Sequence, residues 1–155
     1  MDIYSKSPYP SCALSNFACH PFVIDGVECN SMEGFLQALK FKDANIQREI
    51  CKLVGIGAKR AGYNKNWRKT RNLYWQGVVV PRDSDGYQFL LNRAYNALNK
   101  NPAFRKALLS TKGTLTHNIG KGKQSETILT RQEFCSRLMH LRDIGDLPED
   151  NELFA

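Results

Sequence analysis

Hydrophobic positions along the chain recur with two spacings, and each predicts an element. Over Asn30–Lys42, a helix advancing about 100° per residue brings Met32, Phe35, Leu36 and Leu39 onto one apolar stripe. The same spacing recurs over Ala44–Val54, with Ile46, Ile50, Leu53 and Val54 on one side. It recurs again over Tyr87–Asn99, with Phe89, Leu90, Ala94, Ala97 and Leu98. Pro102 suits the first turn of a helix reaching Leu109. Thr130, with Glu133 three residues on, is placed to cap a last helix reaching Leu141. Gly55-Ile56-Gly57 reads as the stop of the second helix. Strand signals are fewer. A short strand is predicted around Asp2–Tyr4, and Val23-Ile24 and Val27 flank Asp25-Gly26, a pair suited to a tight type I′ turn. Leu73–Val80 is apolar, and Arg82–Gly86 is a turn-rich connector. The pattern predicts an α+β fold, an α-rich single domain over residues 1–142. Its helices surround the helix at about 30–42, and the N-terminal strand and hairpin form a small sheet. Residues 143–155 read as a loosely held acidic tail.

The polar positions of the first helix form no opposite face. Glu33, Gln37 and Lys40 fall at roughly 100°, 140° and 80° on a wheel that starts at Met32, beside the apolar stripe. Polar residues at the edge of a core-facing stripe look into a crevice, and a carboxylate, an amide and an amine there are a plausible catalytic set. Two plainer readings stand beside this one. Asn30 and Glu33 have capping-box spacing, so Glu33 is equally suited to satisfying backbone N–H groups. Lys40 is equally suited to laying its stem on Leu36 with its amine in water.

Charge adds a preference for partners. The 22 lysines and arginines exceed the 15 acidic residues, a net +7, which favours polyanionic or phosphorylated ligands. Lys59, Arg60, Lys65, Arg68, Lys69 and Arg71 are interleaved with Tyr63 and Trp67, a composition suited to phosphate contact and base stacking. Five cysteines, odd in number and scattered, with no CxxC, read as reduced packing residues. His20, His117 and His140 include no pair at ligand spacing, so no metal is expected. No apolar run reaches membrane-spanning length, and the N-terminus lacks the apolar centre of a signal peptide. A cytoplasmic protein is expected.

One stretch resembles a known family. Leu14-Ser15-Asn16-Phe17, Pro21-Phe22 with Asp25-Gly26, and Glu33, Gln37, Ala38, Lys40 and Phe41 are similar, in order and spacing, to the signature of the NADAR family. Ala58–Gly62 resembles the A-x-x-x-G stretch that follows it, and the segment ending Leu108-Leu109-Ser110-Thr111 resembles the family's L-L-x-T. The resemblance implies a small α-rich domain that hydrolyses N-glycosidic bonds to a phosphorylated ribose, either in ribosylamine intermediates or in ADP-ribose attached to guanine. It implies catalytic roles for Glu33 and Lys40. Substrate contacts are expected from Asn16, Phe17, Gln37, Lys59, Gly62, Trp75, His117 and Gly120. No cofactor is expected. The chain departs from the pattern twice. Trp75 is taken as the family tryptophan, with Trp67 the alternative, but WQGVVVPRDSDG reads as an insertion or a remodelled strand-loop. The family's closing acid-Trp-Gly unit has no counterpart, Glu126 being a substitute by position only. In its place stand His117 and the Gly120-Lys121-Gly122-Lys123 run, which is not a P-loop.

Breaking a C1–N bond passes through an oxocarbenium-like state, which calls for a carboxylate near C1. Glu33 suits that electrostatic role, or the role of a base. Lys40 can protonate the leaving nitrogen, or attack the ring-opened aldehyde as a Schiff-base amine. The second job needs a pKa lowered by burial. The partner is then a phosphorylated ribosyl small molecule or an ADP-ribosylated nucleic acid. Two other readings remain: a catalytically silent ADP-ribose or nucleotide-binding module, and a nucleic-acid-binding protein using residues 59–71.

Overall fold

A computed structural model of the chain describes residues 1–63, 65–118 and 123–149. In order, the elements are α1 (Ser11–Leu14), β1 (Phe22–Ile24), β2 (Val27–Cys29), α2 (Met32–Ala38), α3 (Ala44–Cys51), α4 (Gly55–Ala61), α5 (Trp67–Thr70), β3 (Asn72–Trp75), β4 (Val78–Pro81), α6 (Asp85–Leu98), α7 (Pro102–Leu109) and α8 (Arg131–Asp143). A 3-10 turn, Gln124–Glu126, precedes α8. The fold is α+β: eight helices among the described residues and two antiparallel hairpins. No described helix is long and apolar enough to cross a membrane.

Most of the apolar stripe of the central helix is fully buried in α2, with Phe35 and Leu39 at 0% exposure. The helix is shorter than its periodicity, ending where Leu39 caps it. The reason is tertiary. The Leu39 carbonyl accepts from Tyr74 N at 2.8 Å, and Gln47, at 1% exposure, donates to the carbonyls of Ala38, Phe41 and Tyr74. Its Oε1 accepts from Gln76 N. One buried amide thus fixes the end of α2 against α3 and β3, with its polar capacity satisfied. At the other end Gly34 packs on the last turn of α3. A Cβ there would lie 2.7 Å from Leu53 O and 2.9 Å from Ile50 O, so the close approach requires glycine.

The first hairpin forms as expected, with Phe22 opposite Cys29 and Ile24 opposite Val27. Asp25 and Gly26 take φ of 48° and 78°, the values a type I′ turn demands. The apolar stretch Leu73–Val80 is a second hairpin, β3 with β4, turning at Gln76-Gly77 with φ of 47° and 83°. Its tip is clipped to the first, because Trp75 Nε1 donates to Asp25 Oδ2 at 2.9 Å and Gln76 Nε2 to Asp25 O at 3.0 Å.

Two other expectations, the Asp2–Tyr4 strand and the helix stop at Gly55, are corrected. Residues around Asp2 join neither hairpin; Asp2 makes an isolated parallel bridge with Thr116. Gly55, at φ 54°, does not end a helix but opens α4, after α3 has closed at Cys51. The basic stretch holds a short helix, α5. Residues past α8 are held as far as the description extends. Asn96 donates to Leu147 O and accepts from Leu147 N, and Asn92 donates to Pro148 O. The remainder of the acidic end lies outside the described residues.

Candidate active site

Ser31, not Asn30, caps α2. Its hydroxyl accepts from Gly34 N at 3.0 Å and donates to Leu53 O at 2.8 Å, while Asn30 Nδ2 donates to Lys52 O. The Glu33 side chain therefore has no capping duty, which corrects the capping-box reading. Its backbone N–H donates to Asn16 O at 3.0 Å, and its carboxylate accepts from Gln37 Nε2 at 2.9 Å, one turn on. Burial pushes the Glu33 carboxyl above its ordinary range. The Gln37 hydrogen bond and the charges of Lys40 and Lys59 offset this only in part.

Lys40 follows the helix end and donates to Gly62 O at 3.4 Å. Burial lowers its amine to about 8; the Glu33 charge opposes the shift and Arg68 adds to it. Gly62 lies tight against this ladder, where a Cβ would collide with Gln37 Oε1 and sit 3.1 Å from Lys40 Cδ. Gln37 Oε1 is buried with no hydrogen-bond partner among the described residues.

Above Glu33 opens a cavity of about 730 Å³, lined by Asn16, Phe17, Glu33, Lys59 and His117, all expected site residues. Tyr4, Ser5, Lys6, Ser15, Ile56 and Phe134 complete the wall. Tyr95 Oη, fully buried on α6, donates to Asn16 Oδ1 at 2.9 Å and so fixes the amide. His117 Nδ1 lies 2.7 Å from Ile3 O, and its ring meets Phe134 edge-on at 5.5 Å. The residues Tyr4–Lys6 escaped the sequence reading because no periodicity marks them. Tertiary hydrogen bonds bring them here: Thr116 Oγ1 and Asn118 N both donate to Asp2 Oδ1.

The remaining expected residues lie elsewhere. Gln37 and Gly62 form the layer beside Glu33 and do not line the cavity. Lys40 lines a neighbouring cavity of about 430 Å³ with Phe41, Lys65, Trp67 and Tyr74. Trp75 is not on the large cavity's wall. It is 5% exposed, packs edge-on against Phe35 at 5.0 Å and bonds Asp25. Trp67, the alternative, lies under Arg68 and Arg71, whose guanidinium centres are 5.7 and 5.2 Å from its ring. Gly120 and the glycine-lysine run up to Gly122 lie outside the described residues. Glu126 accepts Arg68 Nε at its carbonyl, and its N–H donates to Lys123 O.

The basic stretch is partly spoken for. Arg71 pairs with Asp83 at 2.6 Å and donates to Ser125 O, and Lys65 sits 4.5 Å over the Phe41 ring. Tyr63 remains 79% exposed. The five cysteines are free thiols, and no group of three or more metal-ligating side chains occurs among the described residues.

The geometry combines a half-buried carboxylate of raised pKa, an oriented amide and imidazole, and cations at Lys6 and Lys59 beside the apolar surfaces of Phe17 and Ile56. Such a site suits an anionic ligand with an apolar or aromatic portion. Comparison with known proteins gives three findings. The profile of the family described as bacteriophage protein GP30.3 matches residues 8–143. An uncharacterised 17.1 kDa protein from the Gp30–rIII intergenic region of Enterobacteria phage T4 is 43% identical over 147 residues, covering 92% of this chain and 97% of its own. The NMR structure of the E. coli protein YbiA matches with a TM-score of 0.61 at 22% identity, covering 92% of this chain and 82% of that one. The last likeness is one of fold.

Proposed function

The chain belongs to the bacteriophage protein GP30.3 family, and on that premise we propose that it hydrolyses an N-glycosidic bond to a phosphorylated ribose. The observation that carries the reading is Glu33, a half-buried carboxylate of raised pKa at the wall of a 730 Å³ cavity that also holds Asn16, His117 and Lys59. A carboxylate withdrawn from water stabilises positive charge developing at C1 and the ring oxygen more strongly than a solvated one. Lys6 and Lys59 supply cations for a phosphate or diphosphate, and Phe17 and Ile56 an apolar bed for a base. The two substrate classes that fit are ribosylamine phosphates and ADP-ribose attached to guanine.

Lys40 supports the chemistry through its pKa of about 8. At neutral to mildly alkaline pH a substantial fraction of the amine is unprotonated, the form a Schiff base requires, and the rest can give a proton to a leaving nitrogen. A second reading, a binding module without turnover, is favoured by one observation: Lys40 lines the neighbouring cavity rather than the large one.

Incubation with a panel of ribosylated amines and ADP-ribosylated guanine, read by mass spectrometry, tests the proposal. Released base or amine is expected; binding without release supports the silent module. Borohydride with ADP-ribose or ribose 5-phosphate should trap an adduct on Lys40. Lys40→Arg should lose both trapping and turnover, and normal turnover by that variant removes Lys40 from the chemistry.

A further inference from the structure

We infer that His117 is the general base of this site, the group that takes a proton from the water attacking C1. The inference rests on the N-glycosidase reading above and goes beyond it, since that reading assigns no acceptor for this proton.

The tautomer is decided by its neighbour. A backbone carbonyl offers only lone pairs, so at 2.7 Å from Ile3 O the nitrogen Nδ1 must carry hydrogen. In the neutral ring, Nε2 then bears the free lone pair. That Nε2 has no hydrogen-bond partner among the described residues, and His117 lines the same cavity as Glu33. The ring is held in place as well as in tautomer. Ile3 is fully buried and its own N–H donates to Thr116 O at 2.8 Å, so the orienting carbonyl cannot drift. Phe134, standing at 84° to the imidazole, closes its other side. An imidazole oriented through Nδ1–H with Nε2 open to a cavity is the arrangement a positioned base needs.

The other titratable groups on this wall are poorer acceptors. Lys6 and Lys59 have no lone pair in their ammonium form, and the Tyr4 phenol is a weak base. Glu33 already accepts from Gln37 and, in the reading above, faces the charge developing at C1 rather than the attacking water. In the step, one water O–H proton passes to Nε2 and the water oxygen bonds to C1. The C1–N bond pair leaves on nitrogen, which takes a proton from solvent water in the cavity. The Nε2 proton is then returned to solvent, so one water is consumed.

His117→Asn tests the assignment, because the amide can keep a donor toward Ile3 O while removing the Nε2 base. With ADP-ribosylated guanosine as the probe, kcat should fall roughly 100-fold or more. KM should change little, and the rise of rate with pH that reports the base should vanish. The melting temperature should stay near wild type. Imidazole added to His117→Ala should restore part of the rate. A His117→Asn protein with wild-type kcat overturns the assignment and leaves the N-glycosidase reading intact. A wild-type protein that releases no base from any ribosylated substrate overturns both.

Discussion

Two glutamates one hundred positions apart share a local sequence setting and do opposite work. Asn30 precedes Glu33, and Thr130 precedes Glu133, by the same three residues. At α8 the capping box forms: the Thr130 hydroxyl accepts from Glu133 N, and Glu133 Oε1 accepts from Thr130 N at 2.8 Å. The same carboxylate accepts Arg82 at 2.6 and 3.1 Å and Gln88 at 2.7 Å. Burial alone would raise its pKa, but Gln88, Thr130 N–H and Arg82 together hold it below its ordinary value. Glu33 has one amide, no arginine and a raised pKa. What separates a structural from a candidate catalytic carboxylate here is therefore the partner set. Glu133 is saturated with donors, whereas Glu33 is held by one and opens onto a cavity.

Removing charge at each position sets the two apart most directly. The largest effect is expected from Glu133→Gln. It leaves Arg82, whose side chain is 6% exposed, buried without a counter-charge, and breaking such a pair costs about 3–5 kcal/mol. Chemical denaturation should show this loss, while the rate per folded molecule stays near wild type. A loss under about 1 kcal/mol would dissolve the contrast, since surface ion pairs are worth that little.

Glu33→Gln should invert that outcome. Losing one preorganised electrostatic partner of a developing charge costs roughly 10²–10³ in rate, while stability should hold or rise, because a half-buried carboxylate of raised pKa burdens the fold. One melt and one rate assay decide it. Near-wild-type kcat would return Glu33 to a structural role.

Much of this was legible in the chain. Periodicity located α6, Pro102 marked the start of α7 and the Thr130–Glu133 cap that of α8, and Asp25-Gly26 located the first hairpin through its demand for positive φ. The polar arc of α2 was also legible, because Glu33, Gln37 and Lys40 need only helical geometry to cluster. The Glu133 cap was legible, but the absence of one at Glu33 was not. Arg82 lies 51 residues before Glu133, and Ser31 outcompeted Asn30 because its hydroxyl also reaches Leu53 O. Gln76-Gly77 hid the second hairpin, glutamine being an uncommon residue at positive φ. The bond from Trp75 to Asp25 spans fifty positions and has no local signal either. The cavity wall at Tyr4–Lys6 rests on the Asp2–Thr116 bridge, a contact between the two ends of the domain that no local pattern announces.

The cations divide in the same manner as the glutamates. Lys59 lines the cavity and acts on Glu33, whereas Arg71 is neutralised by Asp83. Charge-assisted hydrogen bonds contribute about 1.5–3 kcal/mol, so Lys59→Ala should raise KM for a phosphorylated substrate roughly 10- to 100-fold, with a flatter salt dependence. Arg71→Ala should leave KM within about twofold, by the same reasoning applied to a cation off the cavity wall. Equal effects from the two variants would mean that the basic surface, not the cavity, recognises phosphate.

The smallest effect, and the most discriminating, is in how stability depends on pH. Glu133 has a depressed folded-state pKa. Its contribution is present above the unfolded value and is lost as pH falls through the folded one. Glu33 has a raised folded-state pKa. Between about 4.5, its unfolded value, and that higher value the native state binds more protons than the unfolded state, so stability falls as pH rises. Difference curves of each Gln variant against wild type should therefore converge at acid pH, where both glutamates are protonated and resemble glutamine. Above it they should part in opposite directions, Glu133→Gln below wild type and Glu33→Gln above. Lys40 supplies a third curve. Its amine titrates near 8 when folded against 10.5 when unfolded, so the burden of its buried charge is complete below pH 8 and is relieved as pH rises past it. Lys40→Met should accordingly gain most over wild type below pH 8 and lose that gain toward pH 10. Guanidinium denaturation at a series of pH values measures all three. If the Glu33→Gln and Glu133→Gln curves parted in the same direction, the two carboxylates would share one role, and the division of the molecule into a saturated clamp and an open site would fail.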